Sequence, residues 1–329
     1  MKKLLCLLSA VVCLASCAPR AEKEYSTTVY AMDTVMELKA YGENAEEALR
    51  LSKEKIIGLD GKLRRGSESS EIYALNSGKT ATVSDETCEI ISKALEIVNE
   101  TGGAFDISLA PVTDLWGFYT KDYYLPTEEE IEEARDKTGC GGISLSGNKV
   151  SMGKETKIDL GGIAKGYLAG KIAGIYRECG VRSGIVSLGG NVQAIGKRQN
   201  GKDWNVAVMS PDSNGYLGVV SVSDKAVVTS GGYQRFFEKD GKVYHHIIDP
   251  ETGYPAESGL VSVTVVCDDP TLADGLSTAI YVMGMRKGLE FRQKKGGFEL
   301  ILEDDAGKIF ITEGLENSFS SEHEYEILK

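Results

Sequence analysis

The sequence predicts an α+β fold in which mostly antiparallel sheets are flanked by helices. Two observations carry this prediction. Apolar residues with a helical period of 3.6 alternate along the chain with short, strand-like runs separated by glycine-rich turns. Residues 26–329 also contain no repeat, low-complexity stretch or linker. A segment of this length can form one large domain or two small ones, and without a linker we expect a single integrated domain.

The amino-terminal residues have the pattern of a targeting segment. An apolar run over residues 4–16 is too short to span a bilayer, which needs about 20 residues. The run ends in Leu14-Ala15-Ser16-Cys17, small residues before a cysteine, as in bacterial lipoprotein signals. We predict a signal peptide over 1–16, a lipid on Cys17 and a membrane tether over 17–25. An ordinary secretory peptide is the alternative. In both cases the protein is exported and faces the periplasm or the cell exterior.

Charge and cysteine content narrow the function classes. The formal net charge is −12, and no basic run is present, which argues against a nucleic-acid partner. The four cysteines beyond residue 17 are scattered without a CxxC pair, so that they predict neither a zinc site nor a disulfide framework. We expect buried thiols, with one disulfide as the alternative. These residues are Cys88, Cys140, Cys179 and Cys267.

The individual elements follow from apolar spacing and from cap and turn residues. Residues 27–41 read as a strand broken near Met32-Asp33-Thr34, and residues 44–63 as a helix capped by Asn44. Further helices are predicted over 85–101, between a Thr127 cap and Gly139, over 162–179, and from Pro270 behind a cap by Asp268 or Asp269. Strands are predicted at 184–188, 205–209, 218–222 and 261–266, with hairpins over 143–152 and 298–312.

Two of the three histidines stand together in the segment 244–255, Tyr-His-His-Ile-Ile-Asp-Pro-Glu-Thr-Gly-Tyr-Pro. Histidine is the usual proton-transfer side chain near neutral pH, and the Pro and Gly residues that follow predict a rigid loop. His246 or His245 is therefore a candidate general base. Either residue would also be acceptable as a packing histidine. The third, His323, is predicted to be a solvated surface group.

Asp274 and Thr278 lie four residues apart on the helix predicted to begin at Pro270, so that both side-chain oxygens lie on one face. A carboxylate beside a hydroxyl suits a hard cation such as Mg²⁺. A histidine base near such a cation suggests phosphoryl chemistry. In the alternative interpretation, Asp274 is a helix-start charge and Thr278 bonds back to its own helix.

Four glycine-containing segments suit phosphate or nucleotide contacts. In 158–167 the free N–H groups at a helix start, together with Lys165, suit a pyrophosphate, although the spacing fits neither a Walker A loop nor GxGxxG. In 101–106 the glycines allow a close ligand approach, and Asp106 can accept from a base or ribose. Segments 187–191 and 229–233 are turns of the same kind. Each segment is also compatible with a purely structural role, as a tight turn or a helix end before an aromatic core loop.

Taken in order, these segments resemble the motifs of the ApbE-like FAD:protein FMN transferases. The resemblance covers nearly the whole chain beyond the predicted signal and implies a single ApbE-like domain of the T-fold-like type. The matching segments are 32–34, 103–106, 159–167, 187–191, 229–233, 246–255 and 273–279.

The resemblance also implies a reaction. With Mg²⁺ on the FAD pyrophosphate, a threonine or serine hydroxyl of an acceptor protein attacks the phosphorus on the FMN side, and AMP leaves. Asp274 and Thr278 match the metal ligands, with a backbone oxygen placed at Gly162, and His246 matches the proton acceptor. The implied acceptor is a membrane or exported redox protein with a short Ser/Thr flavinylation motif. Residues matching FAD contacts are Met32, Ala104, Phe105, Asp106, Lys165 and Ile247.

The chain departs from the family pattern at one place. Many members carry an aromatic residue, able to stack on the flavin, shortly before the segment that matches 70–76. Here residues 64–68 are Arg-Arg-Gly-Ser-Glu, and Tyr73 or an arginine is the candidate replacement. Two other functions fit the same motifs: a Mg²⁺-dependent FAD pyrophosphatase that releases FMN and AMP, and a non-catalytic lipoprotein that binds flavin.

Overall fold

The computed structural model describes residues 22–211 and 215–329. The predicted signal peptide and Cys17 lie outside this part of the chain, and the first strand begins at Glu24, inside the predicted tether. The helices are α1 (Ala45–Leu63), α2 (Glu71–Gly78), α3 (Asp85–Glu100), α4 (Ala110–Leu115), α5 (Glu128–Arg135), α6 (Ala164–Glu178) and α7 (Pro270–Lys295). The strands are β1 (Glu24–Ala31), β2 (Thr34–Tyr41), β3 (Thr80–Thr82), β4 (Ser144–Ser146), β5 (Lys149–Ser151), β6 (Ser183–Leu188), β7 (Asn191–Gly196), β8 (Trp204–Met209), β9 (Tyr216–Val222), β10 (Ala226–Gly231), β11 (Phe236–Lys239), β12 (Lys242–His245), β13 (Leu260–Cys267), β14 (Phe298–Asp304), β15 (Ile309–Thr312), β16 (Phe319–Ser320) and β17 (Tyr325–Leu328).

A nine-stranded sheet runs through the centre of the molecule in the order β1-β2-β6-β7-β10-β13-β14-β15-β17. Neighbouring strands are antiparallel except for β15 and β17, which run parallel. Three small sheets accompany it, β3-β5-β4, β16-β9-β8 and the two-stranded β11-β12. The predicted α+β fold with mostly antiparallel sheets is confirmed. The hairpin predicted over 298–312 forms as β14–β15. It is not the last part of the sheet, because β17 pairs with the outer edge of β15.

The central strands are apolar on both faces because both faces are covered. In β13, Val263 and Val265 face the core that contains the helices, whereas Val266 faces a second core beneath the sheet β16-β9-β8. Trp204 and Phe319 of that small sheet complete the second core. A strand covered on one face only would alternate apolar and polar residues, so the nearly continuous apolar run of β13 follows from this double cover.

Helices α1, α6 and α7 pack on the first face of the sheet and against one another. Helix α7 starts as predicted: Asp269 accepts from the N–H groups of Thr271 (2.8 Å) and Leu272 (3.3 Å), and Pro270 takes the first helical position. The helix breaks at Gly284, where φ is +74° and an added Cβ would lie 2.9 Å from the Ser258 carbonyl oxygen. Only the part before this break carries the predicted site residues.

Three local predictions need correction. Residues 27–41 form two strands, β1 and β2, rather than one broken strand, because Met32 and Asp33 both adopt positive φ (+49° and +58°) and close a type I′ turn. Asn44 precedes α1 but does not cap it, since its side chain donates to the Cys179 carbonyl oxygen at 2.9 Å. Helix α5 has the predicted Thr127 capping box but ends at Arg135, before Gly139.

The remaining helix predictions hold to within two residues, and the 143–152 hairpin forms as β4–β5. The four cysteines are free thiols, of which Cys267 is buried and the other three are half-buried. Within the described residues, no helix is long and apolar enough to cross a membrane.

Candidate active site

The starts of α6 and α7 cross at a glycine. A side chain at Gly166 would place its Cβ 2.1 Å from the Pro270 carbonyl oxygen and 2.6 Å from the Cβ of Asp274, so any larger residue would push the two helices apart. At this crossing the Gly166 N–H donates to Asp274 Oδ2 at 2.8 Å. The crossing thereby joins the glycine–lysine segment at 158–167 to the Asp274–Thr278 pair, which lies more than a hundred residues further along the chain.

Asp274 is a buried carboxylate, with 4% of its surface exposed. Burial raises its pKa, while the charge of Lys165, the Gly166 N–H and the Asn191 side chain act in the opposite direction. Asn191 starts β7, directly after the Gly189-Gly190 turn. The predicted turn at 187–191 therefore does reach the site, through its asparagine.

Hydroxyl groups line the neighbouring turn of α7. Ser230 Oγ lies 2.7 Å from Ser277 Oγ and 3.2 Å from Thr278 Oγ1, and Ser277 donates to the Asp274 carbonyl oxygen at 2.8 Å. Gly162 faces this group, since an added Cβ would lie 4.0 Å from Thr278 Oγ1. We call Gly162, Asp274 and Thr278 the oxygen corner.

The oxygen corner has the donor chemistry of a hard-cation site. It offers a carboxylate, a hydroxyl and a backbone carbonyl, all oxygen ligands of the kind that Mg²⁺ prefers. Across residues 22–211 and 215–329, no group of three or more His, Cys, Asp or Glu side chains is placed to hold a metal. A cation bound at the corner would therefore rely on one carboxylate, neutral oxygens and the ligand's own phosphates, which is how Mg²⁺ is commonly held.

Lys165 connects the oxygen corner with the candidate base. Its positive charge lowers the pKa of both Asp274 and His246. Lys165 is half-buried in the first turn of α6, where the positive end of the helix dipole adds to its charge. The N–H groups of Ala164, Gly166 and Tyr167 in this turn donate to the Leu160 carbonyl oxygen, to Asp274 and to the Ile163 carbonyl oxygen. The positive potential of this turn suits an anionic ligand such as a pyrophosphate.

His246 follows β12 and is held by one carbonyl group. Its backbone N–H donates to the Arg235 carbonyl oxygen at 3.0 Å, and its Nδ1 lies 3.2 Å from the same oxygen. A carbonyl oxygen only accepts, so Nδ1 carries the ring proton and Nε2 keeps its lone pair. Burial, with the positive charges of Arg235 and Lys165, lowers the pKa of this half-buried imidazole to about 3. His246 is therefore neutral at pH 7, and Nε2 is the ring nitrogen whose lone pair is available to a substrate proton. We call β11, β12 and His246 the histidine hairpin.

The loop after His246 is rigid, as its Pro and Gly content predicts. Ile247 is buried and its carbonyl oxygen accepts from the Ala256 N–H at 2.9 Å, while the Gly253 N–H donates to the Asp249 carbonyl oxygen at 2.8 Å. Trp116 Nε1 in turn donates to the Gly253 carbonyl oxygen at 2.9 Å. The family resemblance predicts that Ile247 contacts FAD, and the main chain of Ile247 lies beside the candidate base.

The two adjacent histidines are separated by their environments. His245 Nε2 lies 3.3 Å from the Tyr281 hydroxyl on α7, and the two rings meet edge to face with centroids 5.4 Å apart. His246 instead meets Phe118 edge to face at 6.5 Å. His245 is thus engaged by the helix core, which leaves His246 as the better candidate base.

The predicted flavin-contact loop at 103–106 lies against the oxygen corner. Phe105 is buried, and its Cε2 would lie 3.1 Å from a Cβ on Gly162. Asp106 Oδ1 accepts from the Ser108 N–H and hydroxyl at 2.6 Å each and from the Cys140 thiol at 3.0 Å. Burial and the Asp106 charge raise the pKa of Cys140 to about 12, so that the thiol remains a donor. Ala104, directly before Phe105 in the chain, is half-buried.

Met32 lies in the β1–β2 turn, at the same end of the sheet as Gly189. An added Cβ at Gly189 would lie 2.4 Å from Thr34 Oγ1, so the two turns are in close contact. The Met32 N–H donates to Asp60 Oδ1 of α1 at 3.2 Å. This arrangement fixes the Met32 backbone beside the turn that leads to Asn191.

Arg65 is one of the two arginines that stand where the expected aromatic residue would be. Its side chain is 8% exposed and lies 3.2 Å from Asp159 and 2.8 Å from Asp114. Its guanidinium also lies 4.0 Å from the ring centre of Tyr119, a partly exposed tyrosine in the loop after α4 that sequence reasoning did not single out. Tyr73, the other candidate, lies in α2. That an arginine or Tyr73 stacks on the flavin stays a prediction.

Comparisons with known proteins show the family to which the chain belongs. The family model described as the ApbE family matches residues 32–302. The FAD:protein FMN transferase of Vibrio cholerae is 31% identical over 301 residues, which cover 88% of this chain and 90% of that protein. The FAD:protein FMN transferase of Treponema pallidum is 32% identical over 325 residues, with 91% and 89% covered.

Solved structures show the same architecture. The ApbE protein of Thermotoga maritima superposes with a TM-score of 0.83 at 31% identity, covering 89% of this chain and 98% of that structure. The flavin transferase ApbE of Vibrio cholerae superposes with a TM-score of 0.81 at 27% identity, covering 90% and 99%. The likeness therefore extends over the whole described domain.

Proposed function

The chain belongs to the ApbE family, and we propose from this premise that it is an FAD:protein FMN transferase. It transfers FMN from FAD to a serine or threonine hydroxyl of an acceptor protein and releases AMP. The observation that carries the proposal is the helix crossing at which the Gly166 N–H donates to Asp274 at 2.8 Å, beside Lys165, whose charge acts on both Asp274 and His246. The acceptor is a redox protein with a short Ser/Thr flavinylation motif.

His246 accepts the proton of the attacking hydroxyl. Its Nε2 is the free ring nitrogen, because Nδ1 is engaged by the Arg235 carbonyl oxygen. As the acceptor oxygen bonds to the phosphorus on the FMN side, the bond from that phosphorus to the bridging pyrophosphate oxygen breaks. AMP takes that oxygen and its electron pair, and the hydroxyl proton goes to His246. The acceptor is left with FMN as a phosphoester.

The remaining residues bind and orient the pyrophosphate. Lys165 and the positive end of the α6 dipole offset its negative charge. Asp274, Thr278 and the Gly162 carbonyl would hold Mg²⁺, which when bound neutralises charge on the pyrophosphate and on the leaving phosphate. Burial of Asp274 keeps this corner dry, and a dry corner strengthens each of these interactions.

The direct test uses the full chain purified in detergent, FAD, Mg²⁺ and a candidate acceptor domain, with the products read by intact-protein mass. We expect the acceptor to gain the mass of one FMN while an equal amount of AMP appears. Release of AMP and free FMN from FAD, with no member of a panel of acceptors gaining the label, would establish an FAD pyrophosphatase instead. FAD recovered unchanged at every Mg²⁺ concentration would establish a flavin-binding protein without catalytic activity.

We also propose that the protein is exported and anchored to a membrane through a lipid on Cys17. The support is the sequence of the first 17 residues, a short apolar run that ends in small residues before a cysteine. An anchor there would keep the domain beside acceptors in or near the same membrane. In cells grown with an alkyne-labelled fatty acid, the wild-type chain should take up the label and Cys17→Ser should not. A label that survives in Cys17→Ser would refute the assignment.

A further inference from the structure

His245, the residue next to the proposed base, lies between the histidine hairpin and α7. Its Nε2 lies 3.3 Å from the Tyr281 hydroxyl, and the rings meet at 88° with centroids 5.4 Å apart. Tyr281 is 2% exposed. Burial lowers the pKa of His245 and raises the pKa of Tyr281 to about 12, so that both groups are neutral at pH 7. The contact is therefore a buried, neutral hydrogen bond.

A glycine turn rests on this pair and carries the group that orients His246. An added Cβ at Gly232 would lie 2.8 Å from both His245 Cδ2 and the Tyr281 hydroxyl oxygen. Gly232 begins a short 3-10 turn, Gly232–Gln234, and Arg235 follows it directly. The Arg235 carbonyl oxygen is the one that accepts from the His246 backbone N–H and lies beside its Nδ1. The position of that carbonyl group thus depends on the surface formed by His245 and Tyr281.

The same tyrosine belongs to the helix of the oxygen corner. Tyr281 is three residues after Thr278 and seven after Asp274, so that the three residues share one face of α7. The hairpin itself is a two-stranded sheet, β11-β12, separate from the nine-stranded sheet. It is also held by other contacts, among them the ring of Tyr244, 5.5 Å from that of Trp116, and the ion pair of Lys242 with Glu257 at 2.6 Å. The contact with Tyr281 is the fastening that leads directly to the helix of the oxygen corner.

We propose that His245 and Tyr281 are positioning residues of the transfer reaction. Their hydrogen bond fixes the turn Gly232–Gln234 and the Arg235 carbonyl group relative to α7. It thereby holds His246 in its Nδ1–H form with Nε2 directed at the hydroxyl to be deprotonated. The part of this inference that concerns catalysis rests on the proposed transferase function, whereas the part that concerns the His246 ring does not.

The ring itself is tested by nitrogen NMR of the imidazole groups. The chain has only three histidines, so that single substitutions assign every signal. In the wild-type protein we expect His246 as a single Nδ1–H tautomer. Tyr281→Phe removes only a hydroxyl, and we expect it to shift the His246 ring signals towards a mixture of tautomers. The matched control is Tyr176→Phe, which removes a tyrosine hydroxyl on α6 that donates to the Lys39 carbonyl oxygen at 3.5 Å. It should leave the His246 signals unchanged. His246 signals that are the same in Tyr281→Phe and the wild type would overturn the proposal.

Catalysis is tested by single-turnover FMN transfer at saturating FAD in two backgrounds. Tyr281→Phe should lower the transfer rate about tenfold, with the dissociation constant for FAD unchanged within about twofold. In a His246→Ala protein, Tyr281→Phe should not lower the transfer rate further, because His245 and Tyr281 act through His246. An equal loss in both backgrounds would show a merely structural role and overturn the proposal. A wild-type protein that labels no acceptor would contradict the proposed function instead, and the NMR comparison would still decide the positioning of the ring.

Discussion

The oxygen corner and the histidine hairpin, which we propose act on the same ligand, are built differently. Asp274 is almost fully buried where α6 and α7 cross, within the main core of the domain. His246 is half-buried at the end of a two-stranded sheet that is separate from the nine-stranded one. Phe236 and Val243 on that hairpin are 47% and 52% exposed.

This difference follows from what each region must contact. A group that neutralises pyrophosphate charge is most effective in a dry and fixed setting, which the helix crossing supplies. A base that takes a proton from another protein must remain accessible to that protein. Substitutions in the corner should therefore disturb cation binding and the domain itself, whereas substitutions in the hairpin should affect transfer with little change in stability at neutral pH.

A large effect is expected at the corner. Asp274→Asn removes the only carboxylate of the oxygen corner with little change in volume. We expect the FMN transfer rate to fall on the order of 10³-fold, because charge stabilisation at the pyrophosphate is lost. The response to added Mg²⁺ should vanish with it. The rate is measured during a Mg²⁺ titration at saturating FAD.

The control for this substitution is Asp268→Asn, six residues earlier, where the carboxylate is 83% exposed and pairs with Lys225. It should titrate with Mg²⁺ like the wild-type protein. A Mg²⁺ titration curve of Asp274→Asn that overlays the wild-type curve would refute the cation assignment.

The helix crossing can be tested through stability. Gly166→Ala places a Cβ 2.1 Å from the Pro270 carbonyl oxygen and should lower the free energy of unfolding by about 1–3 kcal/mol. Gly174→Ala lies on the same helix, with no atom within 4 Å of the added Cβ. It should raise stability by roughly 0.5–1 kcal/mol through helix propensity. Urea denaturation of both variants measures the contrast, and equal effects would mean that α6 and α7 do not cross as described.

The smallest effect is a pH dependence from the hairpin. The pKa of His246 is about 3 in the folded protein against an ordinary value of 6.5. Between these values the unfolded chain binds a proton that the folded chain does not, so that stability is full above pH 6.5 and falls as the pH falls through this window. His246→Asn removes this contribution. Urea denaturation at pH 7 and pH 5 should therefore show a smaller loss for His246→Asn than for the wild-type protein. Equal losses would contradict a neutral, desolvated His246.

Sequence patterns sufficed where the signal was local. The cap at Asp269, Pro270 and the spacing of Asp274 and Thr278 place two oxygen donors on one helix face, and the structure has them there. The segment at 158–167 was predicted to open a helix, and it does. Their meeting could not be predicted from spacing, because it depends on a crossing at Gly166 between distant helices.

Other features were missed because their signals were ambiguous or absent. In the β1–β2 turn Met32 and Asp33 adopt positive φ. Glycine or asparagine at these positions would have indicated a hairpin turn more clearly. The sequence alone does not distinguish His245 from His246 by environment. In the structure His245 contacts the Tyr281 hydroxyl, whereas His246 contacts the Arg235 carbonyl oxygen. Asp106 Oδ1 accepts from Ser108 and from the distant Cys140, contacts that the sequence did not indicate, and the predicted contact of Asp106 with FAD stays a prediction. The stack of Arg65 on Tyr119 depends on a fold that brings the two residues together.

His246→Ala tests most directly the claim that the oxygen corner binds the pyrophosphate whereas the histidine hairpin supplies the base for transfer. FMN transfer to an acceptor domain is measured in a single turnover, and FAD affinity is measured on the same preparation in the presence of Mg²⁺. We predict a transfer rate lower by about 10²–10⁴-fold, the usual contribution of a general base, with FAD affinity within about twofold of the wild-type value. Transfer at the wild-type rate, or a loss explained entirely by weaker FAD binding, would contradict the account.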